Sequence, residues 1–438
     1  MQGGVLFGFF ASALALLRRL GLPAALARMD GREARGYAVA IAYMVKARLW
    51  TLASLEPSWK KLQRSWSQAE NDHALRHSLA GRLDAEDRLQ LVASGDEGFR
   101  LRAEIYQSAE RSIDIATYYV QSDATGRDTV RALAACASRG VRVRLLVDRY
   151  MTFKKTQEVA GLPELLDEAR RGGIELAAWH DPRRPYDSNH RKMILVDGRV
   201  AVVGGRNFAD HYRGDAWRDL DLVLEGPSVR PLVSLFDAVW AEAADGAIRG
   251  AHSGGPWIDR VPAAIEADPV MRTLLSCIGA AQRSVDLELA YFVAHESLCG
   301  ALGRAARRGV RVRLLTNGAE SNDLPYAVWT AHEGFRRILA EGCEVYARRG
   351  AGRTLHCKYT VVDGEWVSFG SHNLDYYSSR YCCETNLLVR DAALGKRLVA
   401  FFEQGLGEAT PVTPAEAAEV MRRTRLFKVF DGVFRDFQ

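Results

Sequence analysis

The sequence predicts an α/β protein made of two homologous layered α/β halves with mixed sheets, packed as a pseudo-two-fold dimer, with an N-terminal helical membrane-associating segment. Three observations predict it. A polar signature occurs twice with identical spacing, the sequence ahead of each copy is duplicated as well, and each half alternates strand-like with helix-like stretches.

The signature reads His190-Arg191-Lys192, Asp197 and Gly204-Gly205-Arg206-Asn207, then His356-Cys357-Lys358, Asp363 and Gly370-Ser371-His372-Asn373. In both copies Lys follows His by two, Asp follows Lys by five, Gly follows Asp by seven and Asn follows Gly by three. A single short motif is weak, but a five-position pattern repeated in register is strong. Upstream, Arg111 to Ile115 matches Arg283 to Leu287, and Tyr118-Tyr119-Val120 answers Tyr291-Phe292-Val293. Arg139 to Leu146 recurs letter for letter as Arg308 to Leu315. The chain divides into a segment 1–85, a first half 86–250 and a second half 255–438, each half the size of a typical domain.

Within the first half, Ser112 to Val120 is apolar and β-rich, as a buried strand is. Asp128 to Ser138 carries apolar residues at helical spacing and Gly140 stops it. Val141 to Val147 reads as the next strand, with Arg142 and Arg144 on a solvated face. Met193 to Val196 and Val200 to Val203 flank Asp197-Gly198, a hairpin turn signal. The second half repeats this with Tyr359 to Val362, Asp363-Gly364 and Trp366 to Phe369. Strand, helix, strand and hairpin in that order give a mixed sheet. Gly246 to Pro256 reads as the linker.

Composition narrows the class. The chain has 438 residues, 48% of them hydrophobic, enough for substantial cores. Its seven cysteines are scattered with no C-x-x-C pair, which fits a reducing cytoplasm and neither a zinc site nor a disulfide framework. Residues 1–60 hold eight basic and three acidic side chains, an excess of five that equals the whole chain's net charge of +5. The halves are therefore balanced, which argues against a nucleic-acid partner. The basic excess lies beside two apolar runs, Val5 to Leu17 and Gly36 to Val45, both short of the ~18–20 residues that span a bilayer. With Trp50, Trp59 and Trp66 following, the segment reads as helices at an anionic membrane surface. A helical cap on the protein's own core is the plainer alternative. A signal peptide fits poorly, because no basic side chain precedes the first apolar run. Ala415 to Phe437 reads as a terminal helix, packed or interfacial.

The duplicated residues carry chemistry. Residues two apart in an extended segment point the same way, so His190 and Lys192 project together, as do His356 and Lys358. Imidazole serves as nucleophile, base or acid near neutral pH, and Lys brings positive charge to a phosphate oxygen. Asn207, Ser371 and Asn373 add candidate phosphate donors. Two such sets meeting at a pseudo-two-fold axis meet the needs of phosphodiester exchange. One His attacks phosphorus, and the other protonates the leaving alkoxide and then deprotonates the incoming alcohol or water. No metal-ligand cluster stands out and no cofactor is needed. Asp197 and Asp363 complete each candidate catalytic set, although Asp is also common in hairpin turns. His372 has no counterpart in the first half and reads as a pocket residue, while Tyr118 and Tyr291 read as core.

At these residues the chain resembles the phospholipase D superfamily, whose hallmark is a duplicated H-x-K-x-x-x-x-D motif. The stretches Asn189 to Lys192, Val203 to Asn207, Trp217-Arg218-Asp219, Gly370 to Asp375 and Glu384-Thr385-Asn386 look most like bacterial cardiolipin synthases. The resemblance implies a phosphatidyltransferase acting on phospholipids such as phosphatidylglycerol at the cytoplasmic face of the inner membrane, with His190 as nucleophile and His356 as acid and base. It implies Glu384 as a residue holding a His ring, with Asp219 its approximate counterpart. Gly205 departs from the family's Ser and removes one hydroxyl donor. A phospholipase that uses water, a nuclease and a nonenzymatic membrane adaptor are the competing readings.

Overall fold

A computed structural model describes residues 70–72, 81–158, 160–182, 187–245, 253–260, 268–293, 295–324 and 327–425. The expected N-terminal membrane helices, most of the expected linker and the end of the C-terminal stretch lie outside these residues. Among the described residues, no helix is long and apolar enough to cross a membrane.

The first half builds strands β1 (Arg88–Val92), β2 (Ser112–Thr117), β3 (Arg142–Asp148), β4 (Glu175–Trp179), β5 (Ser188–Asn189), β6 (Met193–Val196), β7 (Val200–Gly204) and β8 (Asp221–Glu225). Seven of them form one sheet in the order β1-β8-β7-β6-β2-β3-β4. The second half supplies β9 (Trp257–Arg260), β10 (Ser284–Leu289), β11 (Arg311–Asn317), β12 (Glu344–Arg348), β13 (Lys358–Val362), β14 (Trp366–Gly370), β15 (Cys382–Arg390) and β16 (Ala409–Pro411). Their order is β16-β12-β11-β10-β13-β14-β15-β5, with β9 on β15. The expected mixed sheets are found in both halves. β2, β3 and β4 run parallel, as do β10, β11 and β12. The hairpins pair antiparallel onto them, Ile113 facing Val196 and Val285 facing Val362 in matched register.

Parallel neighbours need a crossover, and the helical periodicity supplies it. The helix Ala124–Ser138 joins β2 to β3, started by the Asp123 side chain accepting from the Gly126 N–H. The helix Glu296–Arg307 joins β10 to β11. The β6–β7 turn has φ of 54° at Asp197 and 67° at Gly198, and the β13–β14 turn has 55° at Asp363 and 74° at Gly364. Both are the left-handed pairs whose twist matches a hairpin.

One expectation about the surface is overturned. Arg142 is exposed, but Arg144 and its equivalent Arg313 are buried. Arg144 bonds Asp114 and Asp237 at 2.6 Å each and lies over the Phe236 and Trp240 rings. Arg313 bonds Asp286 and Glu403 at 2.6 Å each and lies over Phe402. Helices Arg230–Asp245 and Ala392–Leu406 cover this face. Strand alternation tells which residues share a face but not which face a later helix will cover.

Two apolar clusters fill one side of each sheet, and a third joins the halves. That third core takes Leu146, Leu195, Leu222 and Phe236 from the first half and Leu315, Tyr359, Phe369 and Phe402 from the second.

Candidate active site

The two motif strands are built crosswise. β5 leaves its own sheet and pairs with β15, Asn189 beside Cys383, so that the His190 N–H donates to the Cys383 carbonyl at 3.0 Å. The mirror event occurs at Arg218 and Leu355, where the His356 N–H donates to the Arg218 carbonyl at 2.7 Å. Each histidine is thereby set beside the residue that follows its carbonyl partner. His190 Nδ1 lies 3.0 and 3.1 Å from the two oxygens of Glu384. His356 Nδ1 lies 2.8 Å from Asp219 Oδ2. In both cases the carboxylate comes from the opposite half.

Buried arginine forks brace this exchange. Arg191 turns away from its neighbours and grips Asp259 at 2.6 and 2.9 Å, with both side chains wholly buried. Arg218 grips Glu288 at 2.6 and 3.3 Å, and Tyr359 donates to the same carboxylate at 2.5 Å. The lysines repeat one geometry, Lys192 Nζ donating to the His190 carbonyl at 2.9 Å and Lys358 Nζ to the His356 carbonyl at 2.7 Å.

Burial dominates the electrostatics. It pulls His190 down to about 4 against the charge of Glu384, and it pulls Lys192 down to about 7, with Lys358 adding to the effect. His356 is depressed by burial and by the charges of Lys358, Lys192 and His190, which places the two histidines and two lysines in one cluster. Burial pushes Glu384 up, but the charge and hydrogen bond of His190 outweigh it and hold the carboxyl below its usual range. Burial raises Asp219 against the pull of Arg206 and Lys358. His190 is therefore neutral near pH 7, with Nδ1–H turned to Glu384 and the Nε2 lone pair available.

Other expected site residues are placed differently. Asp197 and Asp363 do not join the cluster, since five strand residues beyond Lys carry them ~16 Å away. Asp197 accepts the N–H groups of Glu110, Arg111 and Ser112 at 2.7–2.9 Å. Asp363 does the same for Gln282, Arg283 and Ser284. They tie each hairpin to the start of β2 or β10. Asn207 donates to the Tyr212 hydroxyl at 2.7 Å and accepts from the Tyr118 N–H and the Thr117 hydroxyl. The Ser371 hydroxyl is engaged with the Thr385 backbone. The Asn373 N–H donates to the Ser378 hydroxyl, while its Oδ1 is buried without a hydrogen-bond partner among the described residues. His372 is fully buried between Asp268 and the Leu374 N–H. Gly205 has a steric reason: a Cβ there would stand 2.4 Å from Asp219 Oδ1, so the departure from Ser makes room for the carboxylate that holds His356.

A model of the family described as cardiolipin synthase, phospholipase D (PLD)-like domain, matches residues 102–240 and 274–406, more than half of the chain. The chain belongs to this family. It is 27% identical over 352 residues to a probable cardiolipin synthase (YwiE) of Bacillus subtilis (strain 168), covering 76% of this chain and 68% of that one. It is 28% identical over 345 residues to a cardiolipin synthase of Geobacillus sp. (strain WCH70), covering 74% and 67%. Among solved structures, a phosphatidylserine synthase of Haemophilus influenzae Rd KW20 superposes with a TM-score of 0.71 at 14% identity, covering 85% of this chain and 99% of that one, a likeness of fold.

Aromatic side chains wall this PLD-like site, among them Tyr118 and Tyr291, which were expected in the core. The partly exposed Tyr118 stands edge-on to His190 at 4.8 Å between ring centres. Tyr212, Trp217 and Tyr291 surround His356 at 5.6, 5.5 and 6.5 Å. Their only sequence signal was position, since Tyr118 and Tyr291 recur at the ends of equivalent strands and Trp217 directly precedes Arg218-Asp219.

Proposed function

We propose that this chain is a phosphatidyltransferase, a cardiolipin synthase that acts on phosphatidylglycerol-like lipids through a phosphohistidine. The crosswise pairing of two histidines with carboxylates, one ring from each half, carries the reading. Phosphoryl exchange needs a nucleophile on one side of phosphorus and an acid on the other.

His190 is the nucleophile. Both Glu384 oxygens hold its Nδ1 proton, so positive charge that develops on the ring during attack is stabilised at once. The Nε2 lone pair forms the N–P bond while the P–O bond to the leaving alcohol breaks. His356, protonated when the anionic phosphodiester binds beside it, gives its Nε2 proton to that alkoxide while Asp219 holds Nδ1. His356, neutral again, removes the proton of the incoming alcohol as its oxygen attacks phosphorus and the N–P bond breaks. Lys192 and Lys358 offset charge on the phosphoryl oxygens. Balanced charge in the halves, bacterial cardiolipin synthase relatives and the basic, apolar N-terminal sequence support a lipid substrate at the cytoplasmic face of the inner membrane.

The test is the purified full chain in vesicles of labelled phosphatidylglycerol. Cardiolipin is the expected product, and the label is trapped on protein in an acid-labile, base-stable form. His190→Ala abolishes both. His356→Ala still traps label but slows turnover by ~10²–10⁴-fold, the usual weight of general acid–base catalysis. Phosphatidic acid as the sole product would make the chain a hydrolase, and label trapping that survives His190→Ala would remove His190 as the nucleophile.

A further inference from the structure

We infer that Asp323, holding the Tyr291 hydroxyl, binds a second hydroxyl of the acceptor and so selects a polyol over a simple alcohol or water. This rests on the proposed transferase reading and names the residue that chooses the acceptor.

In-line displacement fixes where the alcohols lie. With His190 attacking from one side, both the leaving and the incoming oxygen sit on the far side of phosphorus, within proton-transfer reach of His356. On that side stands Tyr291, whose ring is edge-on to His356 at 6.5 Å. The Tyr291 hydroxyl donates to both oxygens of Asp323, at 3.0 and 3.1 Å. Asp323 is exposed, so its carboxylate is open to a ligand from solvent. The charges of Lys358 and Lys155 reach it, tying it to the catalytic cluster. A carboxylate offers about four acceptor positions. One phenol leaves room for alcohol O–H donors, and the neighbouring hydroxyl of a vicinal diol whose first oxygen sits at His356 is such a donor.

The carboxylate is held in place from behind. Its loop follows β11 and is pinned by the buried Ser321, whose hydroxyl donates to the Arg348 carbonyl at 2.6 Å and whose carbonyl accepts from Thr354, two residues before His356. In the other half, among the described side chains at the end of β3, the carboxylate is placed otherwise. There β3 ends in Asp148, which is wholly buried and engaged at 2.7 Å with the N–H groups of Met151 and Asn189. Among the described loops after these two strands, the open carboxylate is on the His356 side, where the acceptor must enter.

The test is a competition. The full chain in phosphatidylglycerol vesicles is given equal concentrations of propane-1,2-diol and propan-1-ol, and the two phosphatidyl alcohols are quantified. The product ratio reports acceptor choice whatever the total rate. The native chain is expected to favour the diol at least ~10-fold, the weight of one charge-assisted hydrogen bond. Asp323→Asn and Asp323→Ala should bring the ratio close to one, and Tyr291→Phe should lower it less. A ratio that stays at the native value in both Asp323 variants overturns the inference, as does loss of both products in equal proportion. Native chain that transfers to both alcohols without preference overturns the inference alone. Native chain that makes neither phosphatidyl alcohol overturns the inference, and if it also makes no cardiolipin it overturns the transferase reading with it.

Discussion

At the residue scale, the charge states of His190 and Lys192 define a pH window. The folded pKa of His190 is depressed to about 4, so the proposed nucleophile is neutral above that and is lost as pH falls through it. The folded pKa of Lys192 is depressed to about 7, so its ammonium is lost as pH rises through that value. In the free enzyme kcat/KM should therefore rise through pH 4, peak below 7 and fall above it. Lys192→Arg, permanently charged, should flatten the alkaline limb even as its different shape lowers the rate. An alkaline limb unchanged in that variant would belong to another group. Asp197 makes the opposite case, a motif residue expected to matter for folding. Asp197→Ala strips three N–H groups of their acceptor and puts a Cβ-bearing residue of poor left-handed tolerance at φ 54°. A loss of ~2 kcal/mol in urea unfolding, with kcat within a few-fold of native, is expected. A collapse of kcat at full stability would return Asp197 to the chemistry.

At the element scale, the site depends on two short strands that change partners. β5 has only two residues, and one isolated parallel pairing is a weak tether. The Arg191–Asp259 fork supplies the rest, gripping β9 of the other half from the residue next to His190. Removing one member strands a buried charge. Arg191→Met should cost ~3–5 kcal/mol, and adding Asp259→Leu should recover most of it. The double variant should still turn over slowly, because an apolar pair does not fix the angle of the His190 strand. Full activity in the double variant would show that β5 pairing alone is sufficient. This layer was the least legible in the sequence. His190, Lys192, His356 and Lys358 stood out because duplication exposes them. That each histidine takes its carboxylate from the other half could not be read, since spacing within a half says nothing about exchange between halves. Arg191 and Cys357 occupy the same motif position, so the repeat itself hid the fork.

At the scale of the whole molecule, two sequence repeats have become one physical unit. The duplication was legible, as were the hairpins, crossovers and mixed sheets, because strand and helix periodicities are local. The central core was not, because its residues are ordinary strand positions in each half, and only packing reveals that Leu146, Leu195, Leu315 and Phe369 share it. A half folded alone would expose this face and leave Arg218 or Asp259 facing water without its partner. Separate unfolding of the halves is therefore expected to be unfavourable. Urea unfolding should give one transition, coincident by far-UV circular dichroism and tryptophan fluorescence, with an m-value that reflects both halves. Native-state amide exchange offers the sharper reading. β2 and β10 are equivalent interior strands of the two sheets, and their slowest amides should open with the same free energy, that of global unfolding. If β2 opened at a clearly lower free energy than β10, the halves would be separate cooperative units. The paired histidines would then be held by a dissociable interface rather than by a common core.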